Sequence, residues 1–312
     1  MRDHVGDCGE SAQELTFQSP DIIVSATAIK DPQEAFGERS RTANCLISGS
    51  LTAGSNYFVF VRARNKGGQD ASHVEARVYN SPIASLTVPN LWEYVGSTQF
   101  PTIRSGDLLT VSASILWTLP GSAAQEVQTT LIALVGNGKE PIPEKPKTWS
   151  TLRKLLLSHQ FACCNIHSVK HATGTADGDP DAYVRLPFKA PGVPDRALMM
   201  HLETAARLPR PSRVWLEMPP AVADLKGIWA DPPTKKGSDD AIFVPANPCG
   251  RHYFRESLFP AQSEANLALV IYVPPELRKD SYSISVRQVY EDQEVGRVTW
   301  RLIPNNRLKN RR

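Results

Sequence analysis

Short runs of β-branched and aromatic residues recur along this chain, and each is closed by glycine, proline or asparagine. That punctuation limits what the chain can become. Proline is the outlier of the composition, 25 of 312 residues, or about 8% against a usual ~5%. Each proline removes a donor from helices and central strands, so the excess favours short strands joined by irregular loops. A length of 312 residues suits two domains or one large one, either able to bury a core. With 41% hydrophobic and 21% charged residues, collagen, coiled coil and wholesale disorder are excluded. A formal charge of +3, from 35 basic and 32 acidic residues, implies neither a nucleic-acid nor a membrane partner. No run of 18 apolar residues occurs, so no membrane span is expected.

The strand pattern is clearest in the first half. Residues 21–25 follow Ser19-Pro20. The run Tyr57, Phe58, Val59, Phe60, Val61 is dense enough for a core strand and ends in the turn Lys66-Gly67-Gly68-Gln69-Asp70. Val74, Ala76 and Val78 then share one face, with His73, Glu75 and Arg77 on the other, which marks a half-exposed strand. Further strands read at 92–96, 108–117 and 127–135. Six or seven strands in about 125 residues have sandwich spacing, and Tyr57 and Trp117 are candidate inter-sheet fillers. The block Pro141-Ile142-Pro143-Glu144-Lys145-Pro146 breaks the pattern and is taken as the domain boundary. A helix of two turns is expected over 148–157. Strands resume at 161–169, 182–188, 196–202, 213–218, 267–273, 281–290 and 296–302. Residues 224–260 show no period and read as a long loop.

The first half resembles the bacterial CARDB-like group of immunoglobulin-type modules. The resemblance rests on Ser19-Pro20-Asp21-Ile22, on residues 56–67 with Val59-Phe60-Val61-Arg62, and on Val74-Glu75-Ala76-Arg77-Val78-Tyr79. It continues through Trp92-Glu93-Tyr94-Val95-Gly96, Ile103-Arg104-Ser105-Gly106-Asp107 and Ile115-Leu116-Trp117. The second half is similar to a companion sandwich, best matched by 282–288 and 295–300. The resemblance implies modules that adhere, scaffold or present, and it supplies no catalytic residue. The expected fold is therefore all-β: two tandem immunoglobulin-like β-sandwich domains with a short linker helix. A polar leader takes 1–18, the first sandwich 19–145, the linker and helix 146–157, the second sandwich 158–303 and a basic tail 304–312.

The densest heteroatom cluster holds His159, Cys163 and His167. On one strand, residues four apart stand about 13 Å from each other, whereas zinc draws its ligands to ~2.0–2.3 Å. A metal site would therefore need a bend, with Cys249 and His252 arriving from the long loop. Small buried cysteines beside partly exposed histidines are preferred, with one of Cys163 and Cys164 facing in and the other out. Asp177-Gly178-Asp179-Pro180-Asp181 lacks EF-hand order and reads as a polar turn, and Gly136-Asn137-Gly138-Lys139 as a strand-ending turn. Lys235, Lys236, Asp239 and Asp240 form the most exposed-looking stretch, a candidate docking surface or protease site.

Five cysteines, Cys8, Cys45 and the three above, are an odd set at irregular spacings, and the first residues lack an apolar signal core. A cytoplasmic setting is expected, with a secreted fragment parted from its signal as the alternative. The expected function is a non-catalytic bacterial module binding a protein, or a glycan, for adhesion or scaffolding, without a cofactor. The rivals are a metal-binding protein or hydrolase built on the Cys/His cluster, and a target cut by a bacterial protease in the long loop.

Overall fold

The computed structural model describes residues 1, 19–43, 51–81, 86–106, 108–122, 127–167, 184–192, 195, 198–220, 241–254, 257–259, 261, 264–274, 282–291 and 293–302. The chain divides into two units, Met1–Ser168 and Val169–Arg312.

In the first unit the strands are β1 (Ile22–Ser25), β2 (Asn56–Ala63), β3 (Glu75–Ser81), β4 (Glu93–Gln99), β5 (Thr110–Val111), β6 (Ile115–Thr118), β7 (Gln128–Gly136) and β8 (Phe161–His167). One antiparallel sheet has the order β4-β3-β7-β8; the other centres on β2, with β1 on one side and β5 and β6 on the other. Alternation along β2 sends Tyr57, Val59, Val61 and Ala63 into the core between the sheets, where they meet Ala76, Val78, Leu131, Ala133 and Trp117. Tyr57 and Trp117 are both buried, their ring centroids 6.5 Å apart, as inter-sheet fillers should be.

The other face of β2 carries Phe58, Phe60 and Arg62 and is covered by a helix absent from the sequence reading, α1 (Pro32–Phe36). Its start follows the rules for helix ends. Asp31 caps it by accepting from the Glu34 N–H at 2.9 Å, and Pro32 occupies the first turn, where no donor is needed. Phe36 then packs 5.4 Å from Phe60, which is fully buried and contributes about 1.5–3 kcal/mol.

Residues 108–117, expected as one strand, are two. The pairing with β2 slips by one residue between Arg62↔Val111 and Val59↔Ile115. At the slip Ser112 Oγ accepts from the Val61 N–H at 3.0 Å, and the Ala113 N–H turns to Gln99 O of β4 at 3.3 Å. The bulge thus joins the edges of the two sheets. Glycine is required opposite it: a Cβ on Gly96 would stand 2.7 Å from Ile115 Cγ2.

The expected boundary is displaced. β8, taken from sequence as the opening of a second sandwich at 158, pairs with β7 from Gln128↔His167 to Leu134↔Phe161 and closes the first unit. The expected linker helix forms as α2 (Trp149–Leu156), with Thr148 and Thr151 in a reciprocal capping box. It links nothing, however: it buries Trp149, Leu152, Leu155 and Leu156 and packs on β8. The reason is the outer face of β7 and β8, where Ile132, Leu134, Phe161 and Cys163 would otherwise meet water. The proline-rich block is likewise held to this unit, since Lys145 Nζ donates to Trp92 O at 2.7 Å and stands 5.8 Å over the Tyr79 ring.

In the second unit the strands are β9 (Val184–Pro191), β10 (Leu198–Arg207), β11 (Arg213–Met218), β12 (Ile242–Ala246), β13 (Cys249–Tyr253), β14 (Ser257–Phe259), β15 (Glu264–Tyr272), β16 (Tyr282–Tyr290) and β17 (Gln293–Leu302). Two antiparallel sheets, β12-β11-β15-β9 and β13-β10-β16-β17 with β14 beside β10, form this sandwich. They meet where Phe188 of β9 lies 5.8 Å from Trp300 of β17, and where Gln288 Nε2 donates to Pro191 O at 2.6 Å. The described part of 224–260, expected as loop, holds β12, β13 and β14. Pro245 disguised β12, yet β12 is an edge strand, and β9 at the other edge carries Pro187 and Pro191. Edges tolerate proline because one side of the ladder needs no donors. Both units are therefore all-β, each built of two antiparallel sheets.

Candidate functional site

A cleft of about 630 Å³ opens at one end of the first sandwich, where the β2–β3 connection, the end of β7 and the start of β8 come together. Its rims are two turns locked by their own side chains. In the first, Asn65 Oδ1 accepts from the Gly67 N–H at 2.9 Å, while Asn65 Nδ2 donates to Gln69 O at 2.8 Å and Ile103 O at 3.0 Å. Asp70 Oδ1 extends the lock by accepting from the Ser105 N–H at 2.8 Å. In the second, Asn137 Oδ1 accepts from the N–H groups of Lys139 and Glu140, both at 2.9 Å.

The chain doubles back tightly after β7. A Cβ on Gly136 would fall 2.4 Å from the Ile142 backbone nitrogen, and Gln160 Nε2 ties the floor by donating to Val135 O and Pro141 O, each at 3.0 Å. Lys139 Nζ reaches across to Gln69 Oε1 at 3.5 Å. Lys66, His73, Asp70 and Glu140 complete a polar, two-signed lining. His73 holds a left-handed φ of 52°, which fixes how the first turn enters β3.

The sequence-predicted site residues are scattered. His159 lines this cleft and pairs with Glu140 at 3.3 Å, with both side chains about two-thirds exposed. Cys163 and Cys164 face opposite sides of β8, yet both are buried. Cys164 enters the inter-sheet core and Cys163 faces the side that α2 covers. Burial pushes the Cys164 thiol up to about 12, so it stays protonated and inert. The backbone of His167 ends β8. Cys249 and His252 lie in the second unit on β13, Cys249 exposed with its thiol donating to Leu208 O at 2.9 Å. His252 packs 4.8 Å from Phe254, and burial lowers its pKa. Among the described residues no three His, Cys, Asp or Glu side chains gather as a metal site would require. Lys235, Lys236, Asp239, Asp240 and the 177–181 turn lie outside the described residues.

Two charged arrangements were missed. Arg62 is fully buried beside the equally buried Asp21, Nε to Oδ1 3.6 Å, and donates to Phe36 O at 3.3 Å, to Thr42 O at 3.0 Å and to Pro20 O. The signal was present: Arg62 shares its strand face with Phe58 and Phe60, an apolar face that something had to cover. In the second unit, Arg287 on β16 bridges Glu203 of β10 and Glu294 of β17, and Arg297 reaches the same Glu294 oxygen at 2.6 Å. Burial raises the Glu294 pKa against the pull of Arg297 and Arg287.

No protein-family model matches the chain, and no curated protein does. The narrower likeness to CARDB-like modules therefore has no family match beside it. Among solved structures, the chain is similar to the Staphylococcus aureus collagen adhesin at 10% identity, covering 88% of this chain and 94% of that one, with a TM-score of 0.21. The Pseudomonas aeruginosa CupB6 tip adhesin gives 8% identity, 90% and 98% coverage and a TM-score of 0.20. Red sea bream transglutaminase gives 11% identity and a TM-score of 0.21; the match takes in 82% of this chain but only 30% of the enzyme's length. At such scores the fold rests on the sheet registers themselves.

Proposed function

We propose that this chain is a non-catalytic bacterial β-sandwich module that holds a protein partner in the cleft at the end of its first unit. The observation that carries this reading is the cleft itself, about 630 Å³ between two turns that hydrogen-bond to themselves. Loops set on a rigid sandwich are where such folds recognise partners. Turns already locked lose little conformational freedom on binding, so more of the contact energy appears as affinity. The two-signed lining suits a polar protein surface. The His159–Glu140 pair sits in water, without the burial that tunes an acid or base for catalysis.

The test is capture from a bacterial lysate with the full chain and with Lys66→Glu/Lys139→Glu, which reverses both turn-tip cations. A protein retained by the wild type and lost with the double variant supports the reading. Equal capture by both, or none by the wild type, contradicts it.

A further inference from the structure

On the outer face of the β4-β3-β7-β8 sheet, apart from the cleft, Tyr94 of β4 leaves 59% of its surface open to solvent. Single exposed aromatics are ordinary, but this one is held. Its ring meets Tyr79 of β3 edge-on at 5.7 Å; Tyr79 in turn packs 6.3 Å from Trp92 and carries Lys145 Nζ 5.8 Å from its centroid. The β3–β4 ladder slips by one residue between Val78 and Tyr79, and that bulge aims Tyr94. One pleat along β3, about 7 Å away, the Arg77 guanidinium is held by Glu75 at 3.0 Å. The hydrogen bond to Glu75, and then the charge of that carboxylate, raise the Arg77 pKa, so the guanidinium stays charged. Ser97 and Gln99, opposite Arg77 and Glu75 on β4, are exposed on the same face.

We infer that this face is a carbohydrate platform, with the Tyr94 ring stacking on a sugar ring and Arg77 and Glu75 clasping the hydroxyls of the same or the next residue. The polar half of the platform decides the class of ligand. Arg77 and Glu75 neutralise each other, so the site calls for an uncharged ligand that can both donate and accept. Sugar hydroxyls accept from the guanidinium fork and donate to the carboxylate, while the C–H face of a pyranose covers an aromatic ring. A proline-rich peptide would also stack on Tyr94, but its prolines have no N–H to donate, so fewer of its groups can answer Glu75 than the hydroxyls of a sugar. Because the ring is fixed before binding, stacking orders nothing new.

The test is native electrophoresis of the full chain through gels containing hydroxyethylcellulose, galactomannan, xylan or laminarin, all neutral polysaccharides. The expected result is retardation in at least one gel, weakened at least tenfold by Tyr94→Ala, retained by Tyr94→Trp and weakened several-fold by Arg77→Ala. Lys66→Glu/Lys139→Glu should be retarded as the wild type is, which separates this platform from the protein-binding cleft. An unchanged thermal midpoint shows that Tyr94→Ala still folds. Migration unaffected by every gel, retardation that survives Tyr94→Ala, or a proline-rich peptide as the one ligand lost with Tyr94 would overturn the inference.

Discussion

The two units place arginine between carboxylates in opposite ways. The first hides a single pair, Arg62 and Asp21, at zero exposure beneath α1, and completes it with carbonyl oxygens of Pro20, Phe36 and Thr42. The second spreads Glu203, Arg287, Glu294 and Arg297 over an outer sheet face where both arginines keep a partial view of solvent. The difference lies in the covering layer. Where a short helix roofs a sheet, an arginine becomes part of the fold and its partners must be complete. Where no helix roofs the sheet, the carboxylates of Glu203 and Glu294 are still buried, but the arginines reach water and are shared between partners instead of being closed off by carbonyls.

That contrast can be broken most sharply at Arg62. Arg62→Ala should destabilise the first unit by about 3–5 kcal/mol, because it strands a buried carboxylate and several carbonyls. Urea titration followed through the environment of Trp117 reads the loss; one below about 1 kcal/mol would show that water reaches the pair. Arg287→Ala in the second unit should cost less, about 2–3 kcal/mol: Glu294 keeps Arg297, and Glu203, which loses its guanidinium, still has His201 at 3.8 Å. If the two losses are equal, the covering layer is not what separates the units.

The smallest effect is a pH dependence. The Glu294 pKa is raised in the folded chain above its ordinary 4.5. The folded state therefore holds this proton more tightly than the unfolded one, and the stabilisation is full below 4.5 and lost as pH rises through the folded value. Glu294→Gln has no such proton to lose. Its stability relative to the wild type should grow as pH rises from about 4 to 7, read as urea midpoints at each pH. A wild type that gains on the variant over that range would reverse the sign and contradict the burial of this carboxyl.

Much of the fold was legible because periodicity reports directly on burial. The alternation in Val74, Ala76 and Val78 and the density of residues 57–61 led straight to β3 and β2. What remained hidden involved a third layer. Phe161 and Cys163 look like the start of a new sandwich because no local signal says that α2 will fold back over them. Pro245 reads as a strand breaker because edge position is a property of the sheet, invisible along the chain. The cleft was legible only in pieces. Both turns are plain in Asn65-Lys66-Gly67 and Asn137-Gly138-Lys139, but that they face each other is a consequence of topology. His159, weighed as a metal-ligand candidate against the preferred reading of a partly exposed histidine, lies at the cleft beside Glu140.

The most direct measurement of partner binding is hydrogen–deuterium exchange of the full chain with and without the protein it captures. A partner seated in the cleft should slow exchange at 64–73 and 136–140 and leave β13 and β16 unchanged. Protection confined to the second unit, or none in either, would contradict a binding site at the end of the first sandwich.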